Sequence, residues 1–296
     1  MSGTTVSSLE QEGRTLVERL GGRWTAKGGM CLCPAHDDRN PSLSVRTGQT
    51  RLLLHCFAGC GSAEILRALA ANRLIEPGAP ASFEPGSRVV EASTTKAAAI
   101  RLWGAASAIA GTPAAAYLAA RAIHGSSPEL RFHPRTPHGP KPLTRFRLAL
   151  IAAVRDETGL VAVHRTFLDP RRPRIAALAN AKCGLGPFGR GAVRLGGVAP
   201  RLGLAEGVET ALSASAQFGI PCWATLGTER FALVTLPAEV TELQLFLDND
   251  AGGRRAEALA REAFAHIPSI HAHYPRRAGA DWNDALWASA RGGKPR

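Results

Sequence analysis

Aromatic residues are scarce in this 296-residue chain, at 6% with only two tyrosines, and acids are in deficit, 24 Asp and Glu against 36 Lys and Arg. Each shortage excludes something. An enzyme that needs a nucleophilic tyrosine has only Tyr117 and Tyr274 to draw on, and neither sits in a recognisable motif. Long apolar runs are missing as well. The longest, 148–154, falls far below the ~18 residues of a membrane-spanning helix, and the polar segment 1–13 lacks a signal-peptide core. The expectation is a cytoplasmic protein with no membrane partner. No Gly-x-x-x-x-Gly-Lys-Ser/Thr segment occurs, which argues against a built-in ATP-driven motor.

The shortage of acids leaves a formal net charge of +12 and a pI near 10.3, which calls for a polyanionic partner. The excess is concentrated in the middle of the chain. From Arg131 to Arg201 there are fourteen Lys or Arg against Asp156, Glu157 and Asp169, a net charge of +11. Arg165, Arg174, Lys182 and Arg190 are the candidates to grip nucleotide or template phosphates there. The stretch Gly184–Gly189 fits G-x-G-x-x-G, yet no clear strand precedes it and Pro187 stands where a helix would begin, so it reads as a Gly-rich basic loop.

Hydrophobic residues make up 45% of the chain, enough for a core, and the length suggests two or three compact units. Of six cysteines, four belong to closely spaced groups: Cys31 and Cys33 lie ahead of His36, and Cys56 and Cys60 follow about twenty residues later. Cys33, His36, Cys56 and Cys60 arrive as two pairs of soft-to-borderline ligands, the way a chain builds a closed tetrahedral zinc site. Cys31 is an alternative to Cys33. Cys183 and Cys222 read as small apolar residues.

The pattern of turns and periodicity divides the chain. A helix over about 6–20, two short strands over 43–45 and 51–55, and a helix capped by Ser62 and running to about 75 form a zinc-binding module, residues 1–75. Residues 76–95, rich in Pro, Gly, Ser and Ala, read as a linker. Residues 96–200 form a basic mixed α+β subdomain. It holds helices over 95–110 and 113–123, the second with Thr112 as N-cap, and a hairpin of 148–154 with 160–167. Trp103 and Tyr117 are assigned to the core. Over 201–296, short apolar runs alternate with helices, the signature of a mostly parallel sheet with helices on both faces, an α/β fold.

Acids follow three of those strands. Glu206 ends the run 202–205, Asp248 and Asp250 end 243–247, and Asp281 with Asp284 follows 270–273. Ligands of open parallel sheets bind beyond the carboxyl ends of the strands. Converging carboxylates there suit a hard cation, Mg²⁺ or Mn²⁺.

These residues also carry a family resemblance. Leu204-Ala205-Glu206-Gly207-Val208-Glu209-Thr210-Ala211 with Asp248-Asn249-Asp250-Ala251-Gly252-Gly253 resembles the Toprim domain shared by bacterial-type primases, topoisomerases and some nucleases. Cys33-Pro34-Ala35-His36, Pro41-Ser42-Leu43-Ser44-Val45 and His55-Cys56-Phe57-Ala58-Gly59-Cys60 resemble the primase zinc-binding domain, and 163–170 is similar to the segment before Toprim in primases of phages and mobile elements. The combination implies a DNA primase, a nucleotidyltransferase of DNA replication that makes short RNA primers on single-stranded DNA from ribonucleoside triphosphates, with a separate helicase. It implies metal binding by Asp248 and Asp250, an acid/base or metal role for Glu206, support from Asp281, and a zinc module that influences where synthesis starts. Thr210 replaces the aspartate that bacterial replicative primases usually place four residues after the glutamate, and Asn283 stands within the late acidic group. A cutting Toprim enzyme and a non-catalytic DNA-binding module of a mobile element are the alternatives.

Overall fold

The computed structural model describes residues 3–25, 28–48, 52–58, 60–75, 83–85, 88–139, 144–178, 180–277, 279 and 282–290. The chain divides into two units, Met1–Val90 and Glu91–Arg296. No helix among the described residues is long and apolar enough to cross a membrane.

The first unit starts with helix α1 (Gly3–Arg19), followed by strands β1 (Arg23–Thr25), β2 (Gly28–Cys31), β3 (Leu43–Thr47) and β4 (Leu52–Cys56). Helix α2 (Ser62–Ala71) and strand β5 (Phe83–Pro85) follow. The sheet runs β1-β2-β3-β4-β5, antiparallel except for the β4–β5 pair. Alternation along β4 sends Leu52, Leu54 and Cys56 inward, where they meet Leu16 and Val17 of α1 and Ile65 and Leu69 of α2. Helix α1 lies so close to the sheet that a Cβ at Gly13 would sit 2.6 Å from the Trp24 ring. The cap of α2 is Gly61, whose N–H donates to Glu64 Oε2 at 2.7 Å, rather than Ser62 as the sequence suggested.

Helix α3 (Arg88–Ala105) spans the boundary, so β5 and the first turns of α3 occupy part of the stretch read as linker. Strand β6 (Ser107–Ala108) and helix α4 (Pro113–Ala119) come next, α4 capped by Thr112 as expected. Strands β7 (Leu130–His138), β8 (Arg145–Asp156), β9 (Gly159–Phe167) and β10 (Lys182–Leu185) complete an antiparallel sheet in the order β10-β9-β8-β7-β6. Strand β8 is buried on both faces. Leu150, Ala152 and Val154 pack beside Tyr117 of α4, while Ala149, Ile151 and Ala153 pack against Leu102 and Trp103 of α3. That double burial explains its continuous apolar run.

The rest of the unit consists of β11 (Arg201–Ala205), α5 (Val208–Phe218), β12 (Cys222–Ala224), a 3₁₀ turn (Thr228–Ala232), β13 (Glu242–Phe246), α6 (Ala251–Ala263), β14 (Ser269–His273) and α7 (Trp282–Ala290). Its sheet is wholly parallel, in the order β12-β11-β13-β14. Leu202, Leu204, Leu243 and Leu245 meet Ala256 and Ala260 of α6 and Phe231 of the 3₁₀ turn on one face. Ala205 and Phe246 meet Val208, Ala211 and Ala214 of α5 and Trp282 of α7 on the other. This is the α/β layer expected from the alternation in the sequence.

Candidate functional site

In the first unit, the loop after β2 supplies Cys33 and His36, and the end of β4 and its following turn supply Cys56 and Cys60. Their ligand atoms all lie within 4.8 Å of one another. Cys31 is excluded from the group. It is fully buried in β2, its Sγ directed to the Leu43 carbonyl oxygen at 3.6 Å, and burial pushes its thiol up to about 12. Asp38 shapes the loop from outside the group. Its carboxylate accepts from Cys33 N at 2.7 Å, Asn40 N at 3.1 Å, and Ser42 N and Oγ at 3.1 and 2.6 Å. His36 turns Nε2 toward Asp38, 3.7 Å away, and presents Nδ1 to Cys60 Sγ at 3.1 Å. A carboxylate behind a ligating imidazole fixes its orientation in metal sites generally. Three sulfurs and an imidazole brought together in this way form a Cys3His metal-binding group, a donor set that suits zinc.

In the second unit, β11 and β13 pair in parallel with Ala205 opposite Phe246, so Glu206 and the Asp248–Asp250 turn emerge side by side at the carboxyl edge. Thr228 Oγ1 donates to Glu206 Oε2 at 3.1 Å. Burial pushes the Glu206 carboxyl above its ordinary range; the Thr228 hydroxyl opposes this, the negative charge of Asp250 adds to it, and Lys182 opposes it. Asp250 also caps α6, its Oδ1 accepting from Gly253 N at 2.8 Å. The turn is tight. A Cβ at Gly253 would lie 1.9 Å from the Asp248 carbonyl oxygen, so only glycine fits there. The oxygen-only donor set suits a hard divalent cation, although among the described residues only the Cys/His group gathers three or more such ligand groups tightly enough to hold an ion. Asp281 lies outside the described residues.

The four candidate basic residues separate. Lys182, on β10, directs its Nζ to Glu209 Oε2 at 2.9 Å and faces the carboxylate edge. Arg165 stands one residue from Thr166, the cross-strand partner of Lys182, so the two side chains point to opposite faces of the sheet. Its guanidinium donates to the carbonyl oxygens of Pro137 and Gly184, at 3.0 and 2.6 Å, as a strand clamp. Arg174 closes the 169–174 turn onto Asp169 at 3.1 Å, and Arg190 is exposed and donates to Thr235 Oγ1 at 2.6 Å. Other basic residues of the middle segment are also engaged. Arg131 lies 4.4 Å above the Trp103 ring, and Arg155 pairs with Glu129 at 2.6 Å. Less of the +11 is therefore free for a ligand than the count suggests.

Glu209 is the residue the sequence reading passed over. It sits in the first turn of α5, 5% exposed, and accepts from the buried Tyr117 hydroxyl at 2.7 Å as well as from Lys182. Burial would raise its carboxyl, but Lys182 and Tyr117 overcome that and hold it down at about 2. Tyr117 is core, as expected, but its hydroxyl has this second task. Only the position of Glu209 one helical turn after Glu206 signalled it. Asn283 has a structural place: it is 5% exposed, and Nδ2 donates to the Arg121 carbonyl at 2.8 Å and to Ser213 Oγ at 3.1 Å, fastening α7 to α5.

Residues 201–292 match the Toprim domain family, and residues 93–195 match a domain of unknown function (DUF7146). No curated protein matches the chain. Among solved structures, the chain is similar to the Aquifex aeolicus primase (zinc binding and RNA polymerase domains), with 15% identity, 98% of this chain and 83% of that one covered, and a TM-score of 0.45. It is similar to a DNA primase domain from Pseudomonas aeruginosa, with 17% identity, 67% and 74% covered, and a TM-score of 0.43. The RNA polymerase domain of Mycobacterium tuberculosis primase DnaG gives 15% identity, 70% and 82% covered, and a TM-score of 0.42. The segment 201–292 is thus a Toprim domain, preceded along the chain by a DUF7146 domain and a Cys3His metal-binding module.

Proposed function

We propose that the chain is a DNA primase that joins ribonucleotides on a single-stranded DNA template. The observation that supports this most is the crevice at the carboxyl edge of the Toprim sheet, where Glu206, bonded by Thr228, emerges beside the Asp248–Asp250 turn and Lys182 stands as the neighbouring cation. Phosphoryl transfer needs positioned charge more than covalent help. Mg²⁺ or Mn²⁺, held by Asp248 and Asp250, would neutralise triphosphate charge. Thr228 orients Glu206, and Glu206, held at raised proton affinity, is suited to accept a proton from a primer 3′-hydroxyl. Lys182, anchored by Glu209, offers its ammonium to phosphate. Zinc at Cys33, His36, Cys56 and Cys60 would brace a module that influences template choice, and unwinding would come from a separate helicase.

A cutting enzyme of the topoisomerase kind is disfavoured by the tyrosines. Tyr117 is 1% exposed and bonded to Glu209, and Tyr274 donates to Glu257 Oε2 at 2.6 Å. The test is primer synthesis from single-stranded DNA, ribonucleoside triphosphates and Mg²⁺. Asp248→Ala should lose at least about a hundredfold in rate. No product on any template, or equal product from the variant and wild type, sinks the reading.

A further inference from the structure

We propose that the outer end of the β7–β8 pair is a stacking platform for single-stranded DNA, centred on Phe146 and Arg135. Phe146 is 59% exposed, the most exposed large apolar side chain described in the second unit, although a ring of this size is ordinarily buried. The Arg135 guanidinium lies 5.4 Å from its ring centroid. That contact depends on an irregularity in the ladder. The register shifts between His133 and Thr136, so Pro137, rather than Thr136, faces Phe146, and Arg135 falls on the side of the ring. Bulges commonly re-aim side chains near binding sites.

Three further observations indicate the occupant. Between Glu129 and Asp156 the sequence contains no acid and six Lys or Arg. Arg135 and Arg145, both exposed, have no ion-pair partner among the described residues. Phe146 also shares a sheet face with Leu150, and Leu150 pairs with Thr166, which in turn pairs with Lys182. Four residues of strand place Phe146 about 13 Å from the row of Lys182, a span of a few nucleotides. An exposed ring with unpaired cations beside it suits a polyanion whose bases are free to stack, which a duplex does not offer. The platform would carry the template strand where it passes the carboxylate crevice; in this it rests on the template-directed reading above.

The test needs no catalysis. Binding of a fluorescently labelled 16-nucleotide oligo(dT) to the full chain is followed by anisotropy in Mg²⁺-free buffer at several salt concentrations. Phe146→Ala should weaken binding about tenfold with the salt slope unchanged, Phe146→Trp should restore it, and Arg135→Ala should lower the slope by about one. Wild-type affinity in Phe146→Ala, equal losses in Phe146→Ala and Phe146→Trp, or equal affinity for a duplex of the same length would overturn the proposal. A tenfold Phe146→Ala effect in a chain that makes no primer would leave this inference standing and remove only the catalytic reading.

Discussion

Replacing Lys182 by Met should destabilise the protein far more than replacing Glu209 by Gln, because the two ends of the ion pair sit in different surroundings. The Lys182 side chain is 41% exposed and the Glu209 side chain 6%. Without Lys182, a carboxylate remains buried with only neutral donors, the Tyr117 hydroxyl and its own backbone N–H, to satisfy it, and breaking a buried pair from that side costs about 3 kcal/mol or more. Without the Glu209 charge, the lysine turns to water and the amide oxygen still accepts from Tyr117, for a cost of about 1 kcal/mol. The depression of Glu209 from 4.5 to about 2 corresponds to about 3 kcal/mol in favour of the ionised form in the folded protein, net of its burial, lowered somewhat by solvent screening at the exposed lysine. The double variant should be more stable than Lys182→Met alone. Equilibrium denaturation of all four proteins measures this as a cycle. The folded-state pKa lies below the unfolded one, so the contribution is complete above pH 4.5 and fades as pH falls from 4.5 toward 2. The gap between wild type and Glu209→Gln should close over that window, with the metal-binding module common to both. Simple addition of the single losses, or a gap that does not change with pH, would refute the reasoning.

The remaining predictions concern the two residues whose roles the structure separates from metal chemistry of the Toprim domain or of the thiol group. Cys33→Ser should lose bound zinc and Cys31→Ser should keep it, as read by metal content per chain after gel filtration. Asn283→Ala should cost about 1–3 kcal/mol in denaturation by removing the two hydrogen bonds from Asn283 to the Arg121 carbonyl and the Ser213 hydroxyl, while leaving the Mg²⁺ dependence of any activity unchanged; a shift in that dependence would place Asn283 back in the metal site.

Much of the architecture was legible because the elements concerned carry their own periodicity. The runs 202–205 and 243–247 became β11 and β13 within a residue or so, since central strands of a parallel sheet covered on both faces are largely apolar, and 270–273 became the half-buried edge strand β14. Strand β7 was missed because Pro134 and Pro137 interrupt it and its bulge breaks the alternation on which such a reading depends. Strand β10 has no signal of its own in the sequence because it is an edge strand of four residues, whose existence depends on β9 rather than on its own composition. The helix cap at Gly61 escaped notice because it uses backbone and Glu64, not a hydroxyl.

The two Cys/His pairs and the placement of the acids were properties of the sequence itself, while the choice of Cys33 over Cys31 came from the burial of Cys31 in β2. The spacing of Cys33, His36, Cys56 and Cys60, and of Glu206 and Asp248–Asp250 after apolar runs, leaves little freedom, because short-range geometry ties such residues to turns and strand ends. The use made of the basic residues was a tertiary matter. Lys182 and Arg165 look alike in sequence, and only pairing across β9 and β10 turns one toward Glu209 and the other to the far face. The same holds for Tyr117, 92 residues from Glu209, for Asn283 against Arg121, and for the register shift that brings Arg135 to Phe146. A charge or hydroxyl takes its role from whatever the fold sets within about 3 Å of it, and for partners this far apart along the chain that distance is decided by packing.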